Sequence, residues 1–135
     1  MFMHLMIIDD SDSDLLYGRF VLERAGIAQR VTTQEAALEA LAFLQRPEGS
    51  DVDLIFLDIN MPVMDGFQFL LAFEALATPG TAQAPVVVML TSSPDPRDRE
   101  RAFAFGSVRD YVVKPITVDG TLQLMNRLAS HSGRA

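Results

Sequence analysis

Three observations predict an α/β fold built on a parallel sheet. Short apolar runs alternate with amphipathic stretches five times along the 135 residues. The better runs are near-continuously apolar, as strands covered on both faces require. Helix starts and stops fall between them, with Ser11 or Ser13 before one stretch and Gly26 after it. Strands alternating with helices imply right-handed crossovers and helices on both faces of the sheet.

The elements follow in order. Met3 to Ile8 reads as the first strand and Leu15 to Ala25 as the first helix. Ala28 to Thr32 is a weak second strand. Gln34 to Leu44 is Ala/Leu-rich and helical, ending before Pro47. Asp53 to Leu57 is the third strand, and Gly66 to Leu76 a helix carrying Phe67, Leu70, Leu71 and Phe73. A long loop, Thr78 to Pro85, leads to the fourth strand, Val86 to Leu90. Asp95 to Phe105 is a helix with Pro96 early, where the missing N–H costs little. Val108 to Val113 is the fifth strand. Val118, Leu122, Met125 and Ala129 mark the inner face of a last helix, and Ser130 to Ala135 a frayed polar tail.

Composition bounds the function. One domain over residues 1–135 is expected, large enough for a real core. Hydrophobic residues make up 49% and charged residues 21%, ordinary for a soluble protein. No apolar run is long enough to span a bilayer, and the start lacks a basic leader. The absence of cysteine excludes disulfide scaffolds and thiolate metal sites. A cytoplasmic protein is expected. The formal charge of −7 argues against nucleic acid as a partner. The one basic cluster, Arg97, Arg99 and Arg101, is interleaved with Asp98 and Glu100 and reads as a solvated face.

In a parallel sheet the C-terminal ends of the strands share one edge, where ligands collect. Strand one ends in Asp9-Asp10, strand three in Asp58, strand four in Thr91-Ser92-Ser93 and strand five in Lys114-Pro115. Each residue alone has an ordinary surface or capping role. Together they converge on one edge from distant parts of the chain. Carboxylates so gathered repel one another unless a cation neutralises them. All-oxygen ligands favour a hard cation, and Mg²⁺ fits best because it takes few carboxylates plus a phosphate oxygen. Lys114 would supply a point charge to a phosphate and Thr91 a hydrogen bond. A carboxylate in that setting is a plausible phosphoryl acceptor.

The ordered set resembles the receiver domain of response regulators, the CheY-like family of two-component signalling. Its motifs are Asp9-Asp10, Asp58-Ile59-Asn60-Met61-Pro62-Val63-Met64-Asp65-Gly66, Thr91-Ser92 and Tyr111-Val112-Val113-Lys114-Pro115. The resemblance covers about residues 3–128. It implies a flavodoxin-like sheet of order 2-1-3-4-5. It makes Asp58 the phosphoacceptor for a sensor histidine kinase. Asp10, Asp58 and the backbone carbonyl of Asn60 would bind Mg²⁺, with Asp9 acting through a metal-bound water. Lys114, Thr91 and Ser92 would meet the phosphoryl group. Thr91 and Tyr111 would be the switch pair, Tyr111 turning inward. Pro115 would follow a cis peptide, and Asp65 and Gly66 would shape the loop into the third helix.

The resemblance further implies a switch rather than an enzyme, and at 135 residues no output domain is expected. It would signal through the face of the fourth helix, fifth strand and last helix. Partners would be the kinase and a target or phosphotransfer protein, the latter making the chain a relay intermediate. A phosphorylation-dependent homodimer is also compatible. Some features depart from the family. Gly106 to Tyr111 is one residue longer than usual, Ser107 replaces a common Ala, and Ser92 replaces another beside Thr91. Asn60 and Ser93 occupy positions that modulate dephosphorylation in the family.

Two rival functions remain open at this level. A haloacid-dehalogenase-type phosphatase also uses Mg²⁺ and a phosphoaspartate, but Asp10-Ser11-Asp12-Ser13-Asp14 puts Asp14 where that family has Thr. A receiver-like module that is never phosphorylated conflicts with the complete site. His4, in a strand, and His131, in the tail, are poor phosphocarriers. The Met and Phe residues read as core, except that Phe103 and Phe105 cannot both face inward from one helix turn.

Overall fold

The fold, taken from a computed structural model, is described for residues 1–76, 85–92 and 95–132. Most of the expected loop after Leu76, Ser93, the side chain of His131 and the end of the tail lie outside the described residues. Five parallel strands, β1 (Phe2–Ile8), β2 (Ala28–Gln34), β3 (Val52–Asp58), β4 (Val86–Thr91) and β5 (Val108–Val113), pair in the order β2-β1-β3-β4-β5. That is the order the sequence resemblance implied.

Strand alternation sends successive side chains to opposite faces. Leu5, Ile7, Leu54 and Phe56 point to one core, beneath α1 (Asp12–Ala25) and α5 (Val118–Ser132). Met6, Ile8, Ile55 and Leu57 point to the other, beneath α2 (Ala37–Leu44), α3 (Gly66–Leu76) and α4 (Pro96–Phe103). Each such fully buried aliphatic side chain contributes about 1.5–3 kcal/mol. With both faces covered, the strand ends alone are left for chemistry.

Local chemistry sets the boundaries. Ser11 caps α1 by accepting the N–H of Asp14, and Gly26 closes the helix at φ 67°, a conformation only glycine adopts freely. Asp65 and Gln68 exchange backbone and side-chain hydrogen bonds at 2.9 Å, a reciprocal cap that starts α3 where expected. Asp95 is the cap of α4, accepting from the N–H of Arg97, rather than its first helical residue.

Four expectations need correction. β2 runs on to Gln34, because pairing with β1 continues to Ile8 opposite Gln34; α2 therefore starts at Ala37. α4 ends at Phe103, two residues short of Phe105. Phe105 folds back to stack on Phe67 at 6.4 Å, leaving Phe103 exposed. On α5 the buried stripe is Thr121, Leu124 and Leu128, with Met125 beside it; Leu122 and Ala129 face solvent. Two interleaved apolar stripes on one helix cannot be ranked by spacing alone, and packing against α1 and β5, into the core that holds Leu5 and Phe56, chose this one. α5 also continues to Ser132, into the stretch assigned to the tail.

The extra residue before Tyr111 is absorbed by a bulge. Val87 pairs with Val108 but Val88 with Asp110, so Arg109 has no opposite number. Its guanidinium turns outward and donates to Gly106 O at 2.9 Å. Ser107 uses its hydroxyl and its N–H to donate to Glu74 of α3, fixing the start of β5.

Val63, in the loop from β3 to α3, adopts φ 69° with its side chain 91% exposed. A β-branched residue strains this region and here recovers nothing by burial. Val63→Gly is therefore expected to raise stability by about 0.5–1 kcal/mol, strain relief less the added freedom of the unfolded chain. The check is a urea midpoint that rises at unchanged slope; a lowered midpoint would mean the strain is not there.

Candidate functional site

The predicted residues meet at the C-terminal edge of the sheet. Asp9 follows β1 and is buried; Asp10 beside it is exposed. Asp58 is the last residue of β3 and only 5% exposed. Thr91 ends β4 fully buried, with Ser92 exposed after it. Lys114 follows β5, tied to β4 by its N–H to Thr91 O at 2.7 Å, and the Lys114–Pro115 peptide is cis, as expected. Asn60 lies exposed in the loop just past Asp58.

Glycine is needed at position 66. A Cβ there would sit 2.7 Å from Asp58 O and 3.0 Å from Ile59 Cα. Its N–H donates to Ile59 O at 2.8 Å, drawing the start of α3 against the strand end.

Electrostatics dominate the site. Oxygens of Asp9, Asp10 and Asp58 lie within 4.8 Å of one another, enough for one cation to meet all three. Lys114 Nζ donates to Asp9 Oδ2 at 2.6 Å and to Asp14 Oδ2 at 2.9 Å, and stands 3.5 Å from Asp58 Oδ1. Burial, then the charge of Asp9, pushes the Asp58 pKa up to about 6 despite Lys114. Burial works to lower the Lys114 pKa, but the bonds to Asp9 and Asp14 and the nearby charges outweigh it, and the net shift is upward. Burial is the larger cause at Asp58, and the Asp9 charge there, with the carboxylates around Lys114, adds an excess of negative charge. Oxygen donors with unbalanced charge fit a hard divalent cation.

Tyr111 faces inward, 7% exposed, with the Arg99 guanidinium 5.6 Å from its ring centroid. Its hydroxyl is buried without a hydrogen bond among the described residues. Burial raises the phenol pKa, Asp98 adds to that, and the Thr91 hydroxyl opposes both. The bulge thus leaves Tyr111 in the core next to Thr91 rather than displaced. His4 lies at the opposite edge of the sheet, buried, its ring nitrogens meeting Asp51 at 2.7 Å and Thr32 at 2.6 Å. It is a satisfied structural histidine.

Asp14 is the participant that sequence reasoning missed. In the sequence it stands out only as the residue at the place of the phosphatase motif's Thr. The signal was present in the cap: with Ser11 as N-cap, Asp14 lies in the first turn of α1, beside Asp9 and the sheet edge.

The model of the response regulator receiver domain matches residues 5–126. The chain belongs to this family. The receiver domain is similar to the two-component response regulator ORR8 of Oryza sativa subsp. indica, at 33% identity over 90% of this chain and 94% of that one. It is also similar to the heme response regulator HssR of Staphylococcus epidermidis, at 37% identity over 84% of this chain and 45% of that one. Among solved structures, a two component response regulator from Cytophaga hutchinsonii has a TM-score of 0.83 at 25% identity, covering 96% of this chain and 98% of that one. The Vibrio cholerae chemotaxis protein CheY4 has a TM-score of 0.76 at 29% identity, covering 94% and 98%. Among the described residues no helix is long and apolar enough to cross a membrane.

A raised carboxyl pKa has a consequence for stability. The folded receiver prefers Asp58 protonated, so this contribution is present below the unfolded value near 3.8 and is lost as pH rises through about 6. In metal-free buffer, Asp58→Asn should stabilise by about 2–3 kcal/mol at pH 7.5 and by almost nothing near pH 4. Chemical denaturation at the two pH values measures this; an equal effect at both would refute it.

Proposed function

We propose that this receiver domain is a phosphorylation-dependent switch in which Asp58 accepts a phosphoryl group from the phosphohistidine of a sensor histidine kinase. The observation that carries this reading is the buried Asp58 carboxylate at a strand end, crowded by Asp9 and Asp10 and faced by Lys114 at 3.5 Å. An Asp58 oxygen attacks phosphorus, the P–N bond breaks with its electron pair returning to the imidazole, and an acyl phosphate forms. Water later releases phosphate and restores the carboxylate, so the domain resets itself and is not a turnover enzyme.

Each neighbour has a task. Asp10, Asp58 and the Asn60 carbonyl would hold Mg²⁺, with Asp9 acting through a bound water. Bound there, the cation supplies positive charge against the phosphoryl oxygens. Lys114 adds a second positive charge from the opposite side, and Ser92, exposed at the mouth, leaves room for the group. Thr91 donates its hydroxyl to a phosphoryl oxygen, a bond worth about 1.5–3 kcal/mol to a charged acceptor. That is enough to bias two conformations of the Thr91–Tyr111 pair without making the bias absolute.

The readout is the face of α4, β5 and α5, which bears exposed Phe103 and Val113. It would engage a target, a phosphotransfer protein in a relay, or a second copy of the chain. Family membership supports a receiver over a phosphatase of the haloacid dehalogenase type, and Asp14 at the place of that motif's Thr agrees.

With Mg²⁺ and acetyl phosphate, intact-mass measurement should find a single phosphoryl group on wild type and none on Asp58→Ala. Repeated release of phosphate from esters without a stable adduct would favour the phosphatase. Thr91→Ala should keep the adduct but lose its effect on partner binding, read by titration with a cognate kinase or target. Undiminished binding would remove Thr91 from the switch.

A further inference from the structure

Of the carboxylates around Lys114, Asp14 alone stands outside the cluster of Asp9, Asp10 and Asp58. Its position in the first turn of α1 would let it complete a reciprocal cap by turning back onto the Ser11 N–H. That N–H is already taken by Asp9 Oδ1 at 3.0 Å. The Asp14 carboxylate instead reaches Lys114 Nζ at 2.9 Å, across 100 residues of sequence.

An ammonium has three donors. Asp9, at 2.6 Å, and Asp14, at 2.9 Å, take two of them, while Asp58 Oδ1 is left at 3.5 Å. Lys114 is therefore drawn toward β1 and α1 and away from the oxygen that would receive the phosphoryl group. We propose that Asp14 is a positioning residue that holds Lys114 back from Asp58, and so sets how strongly the lysine engages a phosphoryl group there. The inference rests on Asp58 being the phosphoacceptor.

The competition is asymmetric. Asp9 and Asp58 would be engaged by the cation, whereas Asp14 keeps its full charge for Lys114. Its side chain is 48% exposed, so its hold is modest and a phosphoryl group can outbid it. Asp14 thus weakens the engaged state without forbidding it.

The test uses beryllofluoride with Mg²⁺ as a stand-in for the phosphoryl group. It is titrated into wild type, Asp14→Asn, Asp14→Glu and Asp12→Asn, and followed by amide shifts and the ¹⁵N signal of the Lys114 ammonium. Asp14→Asn should bind roughly two- to fivefold tighter, the worth of a half-exposed ion pair, and its ammonium signal should differ from wild type before any addition. Asp14→Glu should return both readouts toward wild type. Asp12→Asn removes the same charge from the same exposed helical turn and should leave the ammonium signal unmoved. Equal tightening in Asp14→Asn and Asp12→Asn would reduce Asp14 to diffuse charge and overturn the proposal, as would weaker binding by Asp14→Asn. A wild type that ignores beryllofluoride overturns the reading of Asp58 itself, and this inference with it.

Discussion

The charge imbalance around Lys114 is the constraint on which the rest depends. One ammonium faces Asp9, Asp14 and Asp58, with Asp10 alongside. At an effective dielectric near 20, two unit charges about 4 Å apart interact by about 4 kcal/mol. A single lysine cannot offset that many carboxylates, two of them buried, and burial together with the Asp9 charge raises the Asp58 pKa. The pocket is thus poised for added positive charge. A fully neutralised site would be more stable and would have nothing to respond with.

The fold exists to hold that unfavourable cluster still. Asp9 and Asp58 are buried at the ends of β1 and β3, behind the buried Ile8 and Leu57, so these two cannot swing away to relieve the repulsion. Register does the fine placement. Asp58 pairs opposite Leu90 and Thr91 opposite Val113, which brings Lys114 into line across three strands. The bulge at Arg109 matters for this reason. Without it, a one-residue excess before Tyr111 would turn every later β5 side chain to the other face and take Tyr111 out of the core.

Much of this was legible in the sequence because burial writes a strong pattern. The bounds of α3 and β5 match their expected residues, since Gly66, the apolar run after it and the Val-rich strand are local signals. Strand-end chemistry was legible because a parallel sheet forces the ends together. What was not legible depends on partners distant in sequence. Gln34 is strand only because β1 runs beside it, and the stripe that α5 buries is chosen by packing against α1 and β5. Asp14 escaped because its partner lies 100 residues away, and a first-turn aspartate is normally read as a response to the helix dipole.

For the proposed switch, uneven anchoring would let a small event at Asp58 be felt at α4. Among its own residues α4 buries Ala102 alone, whereas α3 buries five, including Phe67, Phe69 and Phe73. What else fixes α4 is polar and aromatic. Arg99 lies over Tyr111 of β5, and Arg101 over Phe67 of α3 at 4.1 Å. Exposed cation–π contacts are worth only about 0.5–1 kcal/mol each. An element held by so little apolar area is the one that shifts at least cost. Arg99 ties it to Tyr111, and Tyr111 borders Thr91, so the helix with the fewest buried residues is linked to the strand end beside Asp58. In the proposed switch, one hydrogen bond to Thr91, about 1.5–3 kcal/mol, would be comparable to these two cation–π contacts together.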